Sequence, residues 1–397
     1  MERPYPALTV NARAERSLRA GHPWVYDNGV AALPERFENG GAVDVFTEGG
    51  RWLGAGFINT RSRITVRLLT RNANDRIDDA FFARKTRWAV DYRRQVMGKD
   101  FEACRLIFGE ADGFPGLTAD RFGDTLVTEV LSLGMERYKN AVYDALLAET
   151  GCTAVYERGD NAIREKEGLP AESGFVRGGG SGHELIRENG LAFDVDYIHG
   201  QKTGYFLDQK YNRAAAARIA EGRRVLDCFT HTGAFALHCA AAGAARVTAV
   251  DVSAEALESA KRNAALNGLE RAVEFQRADV FELLTNMLEE KNREYDYIIL
   301  DPPAFTKSAS TAEKAYRGYK DINMRAMRLL PRGGYLATCS CSHYMTAELF
   351  RKMLAEAARD ANVSLRQIEE RRQSPDHPIL WGVPETEYLK FFLFQVI

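Results

Sequence analysis

Residues Val225–Phe235 have the sequence Val-Leu-Asp-Cys-Phe-Thr-His-Thr-Gly-Ala-Phe, and this stretch decides the predicted fold of the second half of the chain. Its first four residues form a short apolar run that is typical of a buried strand, and a helix is predicted over Ala234–Ala242. Gly233 lies in the turn between them. A strand that leads through a glycine turn into a helix begins an open α/β sheet, in which ligands bind at the carboxyl ends of the strands.

The alternation of strands and helices continues to the end of the chain. The last two predicted strands, Val363–Ile368 and Tyr388–Val396, indicate an antiparallel hairpin at one edge of the sheet. We therefore predict an α/β fold with a doubly wound, Rossmann-like domain. The other strands are predicted at Arg246–Val250, Val273–Phe275, Tyr297–Leu300 and Tyr335–Thr338, and the other helices at residues 254–267, 279–290, 312–330 and 346–361.

The first 188 residues have a different organisation. Residues 1–72 contain short alternating apolar runs between Gly and Asn turns, which predict a small β-rich module. Residues 73–188 begin with a long helix, predicted over residues 78–98, and continue as a small α/β unit. The sequence therefore predicts three domains, at residues 1–72, 73–188 and 189–397.

Composition predicts a soluble globular protein. The chain has 397 residues, of which 45% are hydrophobic and 27% are charged. No apolar run approaches the roughly 18 residues of a membrane span, and the first residues lack the pattern of a secretion signal. Six cysteines without small-domain spacing predict reduced thiols, so we expect a cytoplasmic location. Cys339 and Cys341 are too close in sequence for an ordinary zinc pair, and no metal is predicted.

Charge is distributed unevenly along the chain. The formal net charge is -2, but residues 1–94 contain 16 Lys and Arg against 11 Asp and Glu. All but one of these 16 are arginine, which binds phosphate bidentately and stacks on bases. A solvated surface is one explanation, and a nucleic-acid face is the favoured one. The predicted RNA-binding residues are Arg61, Arg63 and Arg67, and the same basic stretch, residues 1–94, also contains Arg71, Arg84, Lys85, Arg87, Arg93 and Arg94.

Carboxylates follow the second and third strands of the predicted sheet. Asp251 ends the second strand, 18 residues after Gly233, where a carboxylate can accept hydrogen bonds from both hydroxyls of a ribose. Asp279 follows the third strand and can accept from an adenine amino group. Thr230, Thr232 and Gly233 would let the ligand approach the backbone and the start of the next helix. This pattern predicts a nucleoside-containing cofactor.

Dinucleotide binding is the competing interpretation. It needs Gly-x-Gly-x-x-Gly so that a pyrophosphate can lie on the turn, and only Gly233 is present here. Asp227 in the first turn would repel a pyrophosphate, whereas it can face an amino group. S-adenosylmethionine contains ribose, adenine and an amino group but no phosphate. We therefore predict S-adenosylmethionine as the cofactor.

Two motifs follow the fourth and fifth strands. The first is Asp301-Pro302-Pro303-Ala304-Phe305, a rigid turn in which the carboxylate can face the edge of a base and Phe305 can contact its ring. The second is Thr338-Cys339-Ser340-Cys341-Ser342. Cys341 is a candidate nucleophile, because a thiolate can attack an electron-poor ring carbon. The alternatives without a function are an ordinary strand exit for the Asp301 motif and a small buried core residue for Cys341. The cofactor pattern upstream favours the functional one.

At these motifs the chain resembles the class I methyltransferases, and more closely the ribosomal RNA large subunit methyltransferase I family, which acts on cytosine C5. The similarity covers nearly the full length. Its most specific stretches are Arg16–Tyr26, which resembles an N-terminal PUA-type RNA-binding module, Arg105–Asp120 in the middle domain, and Gln201–Gln209 and Arg317–Asn323 in the methyltransferase domain.

The resemblance implies roles for individual residues. Gln209 would help to form the cofactor pocket, Asp301 would face the base and Cys341 would be the nucleophile. The implied partner is large-subunit ribosomal RNA, and a homodimer is a further expectation. The sequence departs from the family at Ala304, where many members have lysine, and at Cys339, a thiol that many members lack.

Two other functions stay open from the sequence. One is methylation of an exocyclic amine of adenine or guanine, with Asp301 and the proline carbonyls orienting the amine and Cys341 incidental. The other is a non-catalytic RNA-binding assembly factor. Both share the predicted fold and cofactor pattern, so only the role of Cys341 separates them from cytosine C5 methylation.

Overall fold

The computed structural model describes residues 4–306 and 308–397, except for the side chain of residue 309. The chain folds into two compact units. The first contains Met1–Ile186, Val195–Leu207 and Pro375–Thr386, and the second contains Arg187–Asp194, Asp208–Ser374 and Glu387–Ile397. Each unit therefore draws on distant parts of the sequence. The three-domain boundaries stay a prediction.

The N-terminal part of the first unit is a six-stranded sheet with one helix. Its elements are β1 (Ala7–Val10), α1 (Ala12–Arg19), β2 (Trp24–Tyr26), β3 (Val30–Ala32), β4 (Ala42–Thr47), β5 (Trp52–Ile58) and β6 (Ile64–Thr70). The strand order is β2-β6-β5-β4-β1-β3. Alternating valines and leucines of these strands pack with Ala14 and Leu18 of α1 into one core. The β-rich prediction is confirmed, and β2 and β3 are additional strands of three residues, too short for an alternating pattern.

The remainder of the first unit contains a five-stranded sheet in the order β11-β10-β9-β8-β7 and the long helix α2. Asp78 caps α2, because its carboxylate accepts the backbone N–H of Phe81 at 2.8 Å. Arg93 of this helix is fully buried and pairs with Asp112 at 2.6 Å. The elements are α2 (Asp79–Met97), β7 (Ala103–Phe108), α3 (Gly109–Asp112), β8 (Leu117–Phe122), β9 (Thr125–Val130), α4 (Leu133–Thr150), β10 (Ala154–Arg158), α5 (Ile163–Glu167) and β11 (Gly174–Arg177).

The second unit contains a seven-stranded sheet flanked by helices. The separate two-stranded sheet of β12 (His183–Glu188) and β13 (Leu191–Asp196) does not belong to this unit alone, because residues 183–186 and 195–196 fall in the first unit. The other elements are α6 (Lys210–Ala217), β14 (Arg224–Cys228), α7 (Ala234–Ala241), β15 (Arg246–Asp251), α8 (Ala254–Leu266), β16 (Val273–Arg277), α9 (Val280–Glu289), β17 (Tyr297–Leu300), α10 (Ala312–Leu329), β18 (Tyr335–Ser340), α11 (Ala347–Asp360), β19 (Leu365–Arg371) and β20 (Lys390–Val396).

The strand order of this sheet is β16-β15-β14-β17-β18-β20-β19. The first five strands are parallel, whereas β20 is antiparallel to both β18 and β19. The predicted doubly wound sheet with a late antiparallel hairpin is therefore confirmed.

The centre of the sheet is its most apolar part. All four residues of β17, Tyr297–Leu300, are fully buried, because helices cover both faces of a parallel sheet. β17 lies between β14 and β18, and these three strands run in the same direction. Their carboxyl ends therefore meet at one edge, which brings together the motifs that follow them in the sequence.

Candidate active site

The loop between β14 and α7 has an unusual backbone. Phe229, His231 and Gly233 have φ angles of 64°, 51° and 84°. Non-glycine residues in the left-handed region cost on the order of 1–2 kcal/mol each. Gly233 is required by packing, because a Cβ there would lie 3.0 Å from Cβ of Ala260. The structure thus gives this predicted cofactor-binding glycine a role in holding the start of α7 close to α8.

Asp227 lies at the end of β14 and is fully buried. Its Oδ2 accepts a hydrogen bond from Oγ1 of Thr230 at 2.6 Å and another from the backbone N–H of Ala236 at 3.0 Å. Its Oδ1 has no hydrogen-bond partner among the residues that the structure describes. Burial raises the pKa of Asp227 to about 7, with the charge of Asp301 acting in the same direction.

The unpartnered Oδ1 of Asp227 tests whether the site fits S-adenosylmethionine. A buried oxygen without a donor is destabilising, and an amino group would supply that donor. The hydroxyl of Thr230 already donates to Oδ2 of Asp227, so it helps to fix the orientation of the carboxyl group. Thr232 is half-buried, and its carbonyl accepts a hydrogen bond from Nδ2 of Asn263 at 3.0 Å. The buried acceptor in this loop fits the amino group of the predicted cofactor.

Asp251 and Asp279 are held by nearby backbone groups. Oδ2 of Asp251 accepts the N–H of His231, and its Oδ1 accepts the N–H of Ser253, both at 2.9 Å. Asp279 caps α9 through its Oδ1, which accepts the N–H groups of Phe281 and Glu282 at 2.8 and 3.1 Å. A carboxylate oxygen can accept more than one hydrogen bond, so both side chains keep acceptor capacity for a ligand.

Val252 is a residue that the sequence reasoning missed. It follows Asp251 directly, and 63% of its surface is exposed although it is apolar. A valine beside a strand-end carboxylate offers an apolar surface to a flat ring. The signal in the sequence was the apolar residue placed just beyond the strand, where a turn is usually polar.

Asp301 follows β17 and is contacted from two sides. Nε2 of Gln209 donates to its Oδ1 at 2.9 Å, and the thiol of Cys339 hydrogen-bonds the same carboxyl group. The amide of Gln209 is fixed in turn by Asn212, whose Nδ2 donates to Oε1 of Gln209 at 2.7 Å. Gln209, expected in the cofactor pocket, therefore orients Asp301. Burial raises the pKa of Asp301 to about 6, against the opposing charge of Arg213.

The two cysteines of β18 differ in depth. Cys339 is fully buried, whereas Cys341 lies just beyond the strand and is half-buried. Burial raises the pKa of the Cys339 thiol well above its usual value, and the charge of Asp301 adds to this effect. Cys339 is thus held as a neutral thiol. Cys341 is therefore the more accessible of the two thiols.

The residue after Cys341 is held by two side chains that sequence reasoning did not identify. Oγ of Ser342 shares a hydrogen bond with the hydroxyl of Tyr319 at 2.8 Å, and its carbonyl accepts from Nζ of Lys390 at 2.7 Å. Lys390 begins β20 and is buried. A signal was present, since it is the one charged residue in the run Lys390–Phe394.

Phe305 is half-buried and packs against the hydrophobic core of the second unit. Its ring centroid lies 4.5 Å from that of Tyr319 and 5.8 Å from that of Phe281. A Cβ on Gly318 would lie 3.3 Å from the Phe305 ring, so the glycine makes room for it. The structure therefore gives Phe305 a packing role, and its contact with RNA stays a prediction.

The arginines of the first unit divide into two groups. Arg61 and Arg63 are exposed. Arg67 is only 12% exposed and pairs with Glu110 at 3.1 Å and with Glu167 at 3.2 Å, which disfavours a contact with RNA, and its predicted RNA-binding role stays a prediction. The other members of the predicted basic cluster with carboxylate partners are Arg84 with Asp75, Arg87 with Glu149, Arg93 with Asp112, and Arg94 with Asp91 and Glu149.

The described ranges, 4–306 and 308–397, lack two features. They contain no group of three or more His, Cys, Asp or Glu side chains arranged to hold a metal ion. They also contain no helix that is long and apolar enough to cross a membrane.

Comparison with protein families identifies two regions. Residues 8–71 match a PUA-like domain, and residues 172–395 match an S-adenosylmethionine-dependent methyltransferase family. Among solved structures, a protein from Streptococcus mutans described as an S-adenosylmethionine-dependent methyltransferase aligns with a TM-score of 0.83 at 21% identity, covering 98% of this chain and 100% of that one. A methyltransferase solved in complex with SAH gives a TM-score of 0.84 at 21% identity, with the same coverage. Both establish the similarity of fold.

Curated relatives match over almost the whole chain. The ribosomal RNA large subunit methyltransferase I of Shewanella denitrificans is 43% identical over 386 residues, covering 96% of this chain and 97% of the relative. The protein of the same name from Klebsiella pneumoniae is 42% identical over 401 residues, covering 99% of both. The chain therefore belongs to the ribosomal RNA large subunit methyltransferase I family, whose members are S-adenosylmethionine-dependent methyltransferases with an N-terminal PUA-like domain.

Proposed function

We propose that this enzyme methylates carbon 5 of a cytosine in large-subunit ribosomal RNA through a covalent bond between Cys341 and the base. The observation that carries the proposal is the presence of a half-buried thiol and a half-buried carboxyl of raised pKa at neighbouring strand ends. Leu300 and Thr338 are register partners, so Asp301 is level with Cys339 and Cys341 lies two residues further along. The names of the curated relatives support ribosomal RNA as the substrate.

Cys341 starts the proposed reaction as a thiolate. Its sulfur adds to carbon 6 of the cytosine, and the electron pair of the C5–C6 double bond moves onto carbon 5 and into the ring. Carbon 5 is a poor nucleophile in free cytosine and becomes a good one in this adduct. The base must first be unstacked from its neighbours, because the thiolate approaches the face of the ring.

Asp301 suits the edge of cytosine in its protonated form. N3 of cytosine is an acceptor and the exocyclic amine is a donor, so a neutral carboxyl matches both with its O–H and its carbonyl oxygen. A pKa of about 6 makes that form accessible near neutral pH. Donation of the proton to N3 offsets the negative charge that enters the ring when Cys341 adds.

S-adenosylmethionine, when bound, supplies the methyl group that carbon 5 accepts. Asp227 would accept from the amino group through its unpartnered Oδ1, Asp251 from the ribose hydroxyls and Asp279 from the adenine amine. After transfer, a base removes the proton from carbon 5. The double bond then re-forms, the Cys341 thiolate leaves carbon 6, and N3 returns its proton to Asp301.

Arg61 and Arg63 are proposed to contact the phosphate backbone of the RNA. Both are exposed and lie within the region that matches a PUA-like domain. The neighbouring Arg67 is neutralised by two carboxylates and is left out of this face. The proposed RNA surface is therefore smaller than the number of arginines in the sequence indicates.

Cofactor affinity should depend on Asp251. We expect Asp251→Ala to weaken S-adenosylmethionine binding by roughly 1–3 kcal/mol, because a charged hydrogen-bond acceptor is lost. Isothermal titration calorimetry measures the change. Asp296→Ala is the control, since Asp296 lies at the opposite ends of the strands, where it accepts the N–H of Arg224. Equal affinity of wild type and Asp251→Ala would remove Asp251 from the site.

Asp301 should affect methyl transfer more than binding. Asp301→Asn keeps a donor and an acceptor for cytosine but cannot give a proton to N3, so we expect the single-turnover rate to fall by about 10²–10⁴-fold. The carboxyl loses its proton as pH rises through about 6, whereas the amide does not titrate. The ratio of wild-type to variant rates should therefore decrease as pH rises through this range. A ratio that is independent of pH would contradict the proton-donor role.

Cys341 should be essential and Cys339 should not. We expect Cys341→Ala to abolish methyl transfer with cofactor binding intact, and Cys339→Ala to cost on the order of 1 kcal/mol of stability with turnover largely retained. RNA that contains 5-fluorocytosine should trap a covalent adduct with the wild type, because fluorine cannot leave as a proton. A denaturing gel detects it.

The same gel separates the alternatives. An adduct that persists in Cys341→Ala and disappears in Cys339→Ala would exchange the roles of the two thiols. Methylation of an exocyclic amine without any adduct supports the amine methyltransferase. A wild type that binds cofactor and RNA but transfers no methyl group supports an assembly factor.

RNA binding should lose part of its salt dependence when the exposed arginines are removed. Replacing Arg61 and Arg63 together by glutamine should reduce the slope of log affinity against log salt by about 1.4–1.8, if each contacts one phosphate. Arg246→Gln is a matched control, because this exposed arginine already pairs with Glu274 and Glu294. Filter binding at several salt concentrations measures the slopes, and equal slopes for the double variant and the wild type refute the assignment.

A further inference from the structure

Lys390 is a buried amine at the rim of the candidate active site. It is the first residue of β20 and the register partner of Ser340, the last residue of β18. Only 2% of its surface is exposed. Its Nζ donates to the carbonyl oxygens of Ser342 and Tyr388, both at 2.7 Å. The ammonium group therefore lies against the backbone that immediately follows Cys341.

Burying an amine between two carbonyls is unfavourable without a compensating charge. Burial lowers the pKa of Lys390 to about 8, whereas the charge of Cys341 acts to raise it. Arg372 and Glu387 also act on the amine, with opposite signs. These two are paired with each other at 2.6 Å, so their effects largely cancel. Tyr319 contacts the same turn through the Oγ of Ser342.

We infer that Lys390 is a positioning residue for Cys341, which fixes the turn at Ser342 and stabilises the thiolate through its positive charge. This inference rests on the proposed role of Cys341 as the nucleophile. The reciprocal relation makes it testable, because a cation that is favoured by a nearby thiolate must favour the thiolate equally.

The test is the pH dependence of Cys341 alkylation in the full-length protein without RNA. Iodoacetamide reacts with the thiolate, and peptide mass spectrometry separates Cys341 from the five other cysteines, which are buried. We expect Lys390→Met to shift the alkylation profile upward by about one pH unit or more, which is roughly a tenfold slower reaction at pH 7.5. Lys390→Gln, which keeps a donor for the Ser342 carbonyl, should shift in the same direction.

Two further variants control for charge and for packing. Lys390→Arg keeps the charge throughout the titration, so its profile should stay close to that of the wild type. Lys85→Met removes another buried lysine, whose pKa is also lowered to about 8 and whose Nζ donates to the Gly113 carbonyl at 2.8 Å. It should leave the Cys341 profile unchanged. Binding of S-adenosylmethionine by each variant confirms that it is folded.

The outcomes distinguish this inference from the proposed function. Wild-type profiles in both neutral variants, or an upward shift in Lys390→Arg as large as in Lys390→Met, would overturn the role of Lys390. The fluorocytosine adduct of the wild type is measured separately. If the wild type forms the adduct but the alkylation profile of the neutral variants is unshifted, the role of Lys390 is rejected and that of Cys341 is retained. If the wild type forms no adduct, the role of Cys341 as the nucleophile is rejected.

Discussion

Burial of two carboxyl groups at neighbouring strand ends is the constraint on which the candidate site depends. Asp227 and Asp301 follow the adjacent parallel strands β14 and β17, and desolvation raises the pKa of each. The charge of Asp301 also raises the pKa of Asp227, whereas the charge of Arg213 opposes the rise in the pKa of Asp301. An unpartnered oxygen on Asp227 and a proton within reach on Asp301 both follow from this burial. The first favours an amino group as a ligand and the second favours proton donation to a base.

Burial also gives the two thiols different properties. Cys339 is buried against Asp301, where a thiolate would face a carboxylate without solvent, so it stays protonated. Cys341 lies two residues further along, just beyond the strand, and is half-buried. The ammonium of Lys390 donates to the carbonyl of the next residue, Ser342. Tyr319 and Lys390 hold the following residue through its hydroxyl and its carbonyl. The proposed nucleophile thus lies next to a residue that is held by two side chains.

In the first unit, the number of arginines exceeds the number that are available to bind RNA. Its arginine excess is consistent with RNA binding, yet several of these side chains lie in ion pairs within the unit. Arg93 is fully buried with Asp112, and Arg67 bridges Glu110 and Glu167. Arginine suits such pairs because its planar group binds carboxylates as well as phosphates. Arg61 and Arg63, by contrast, are exposed.

The sequence by itself determined the succession of strands and helices in the second unit, the strand-end positions of Asp227, Asp251, Asp301 and Cys341, and the family. Strand and helix periods and motif spacing are local properties, and parallel strands place their ends at one edge. Only the tertiary structure decided that Gln209 contacts Asp301, that Lys390 contacts the Cys341 segment from a strand 48 residues away, and that Arg67 is neutralised. These contacts join residues far apart in the chain, and burial, which sets their pKa values and ion pairs, depends on every element packed around them.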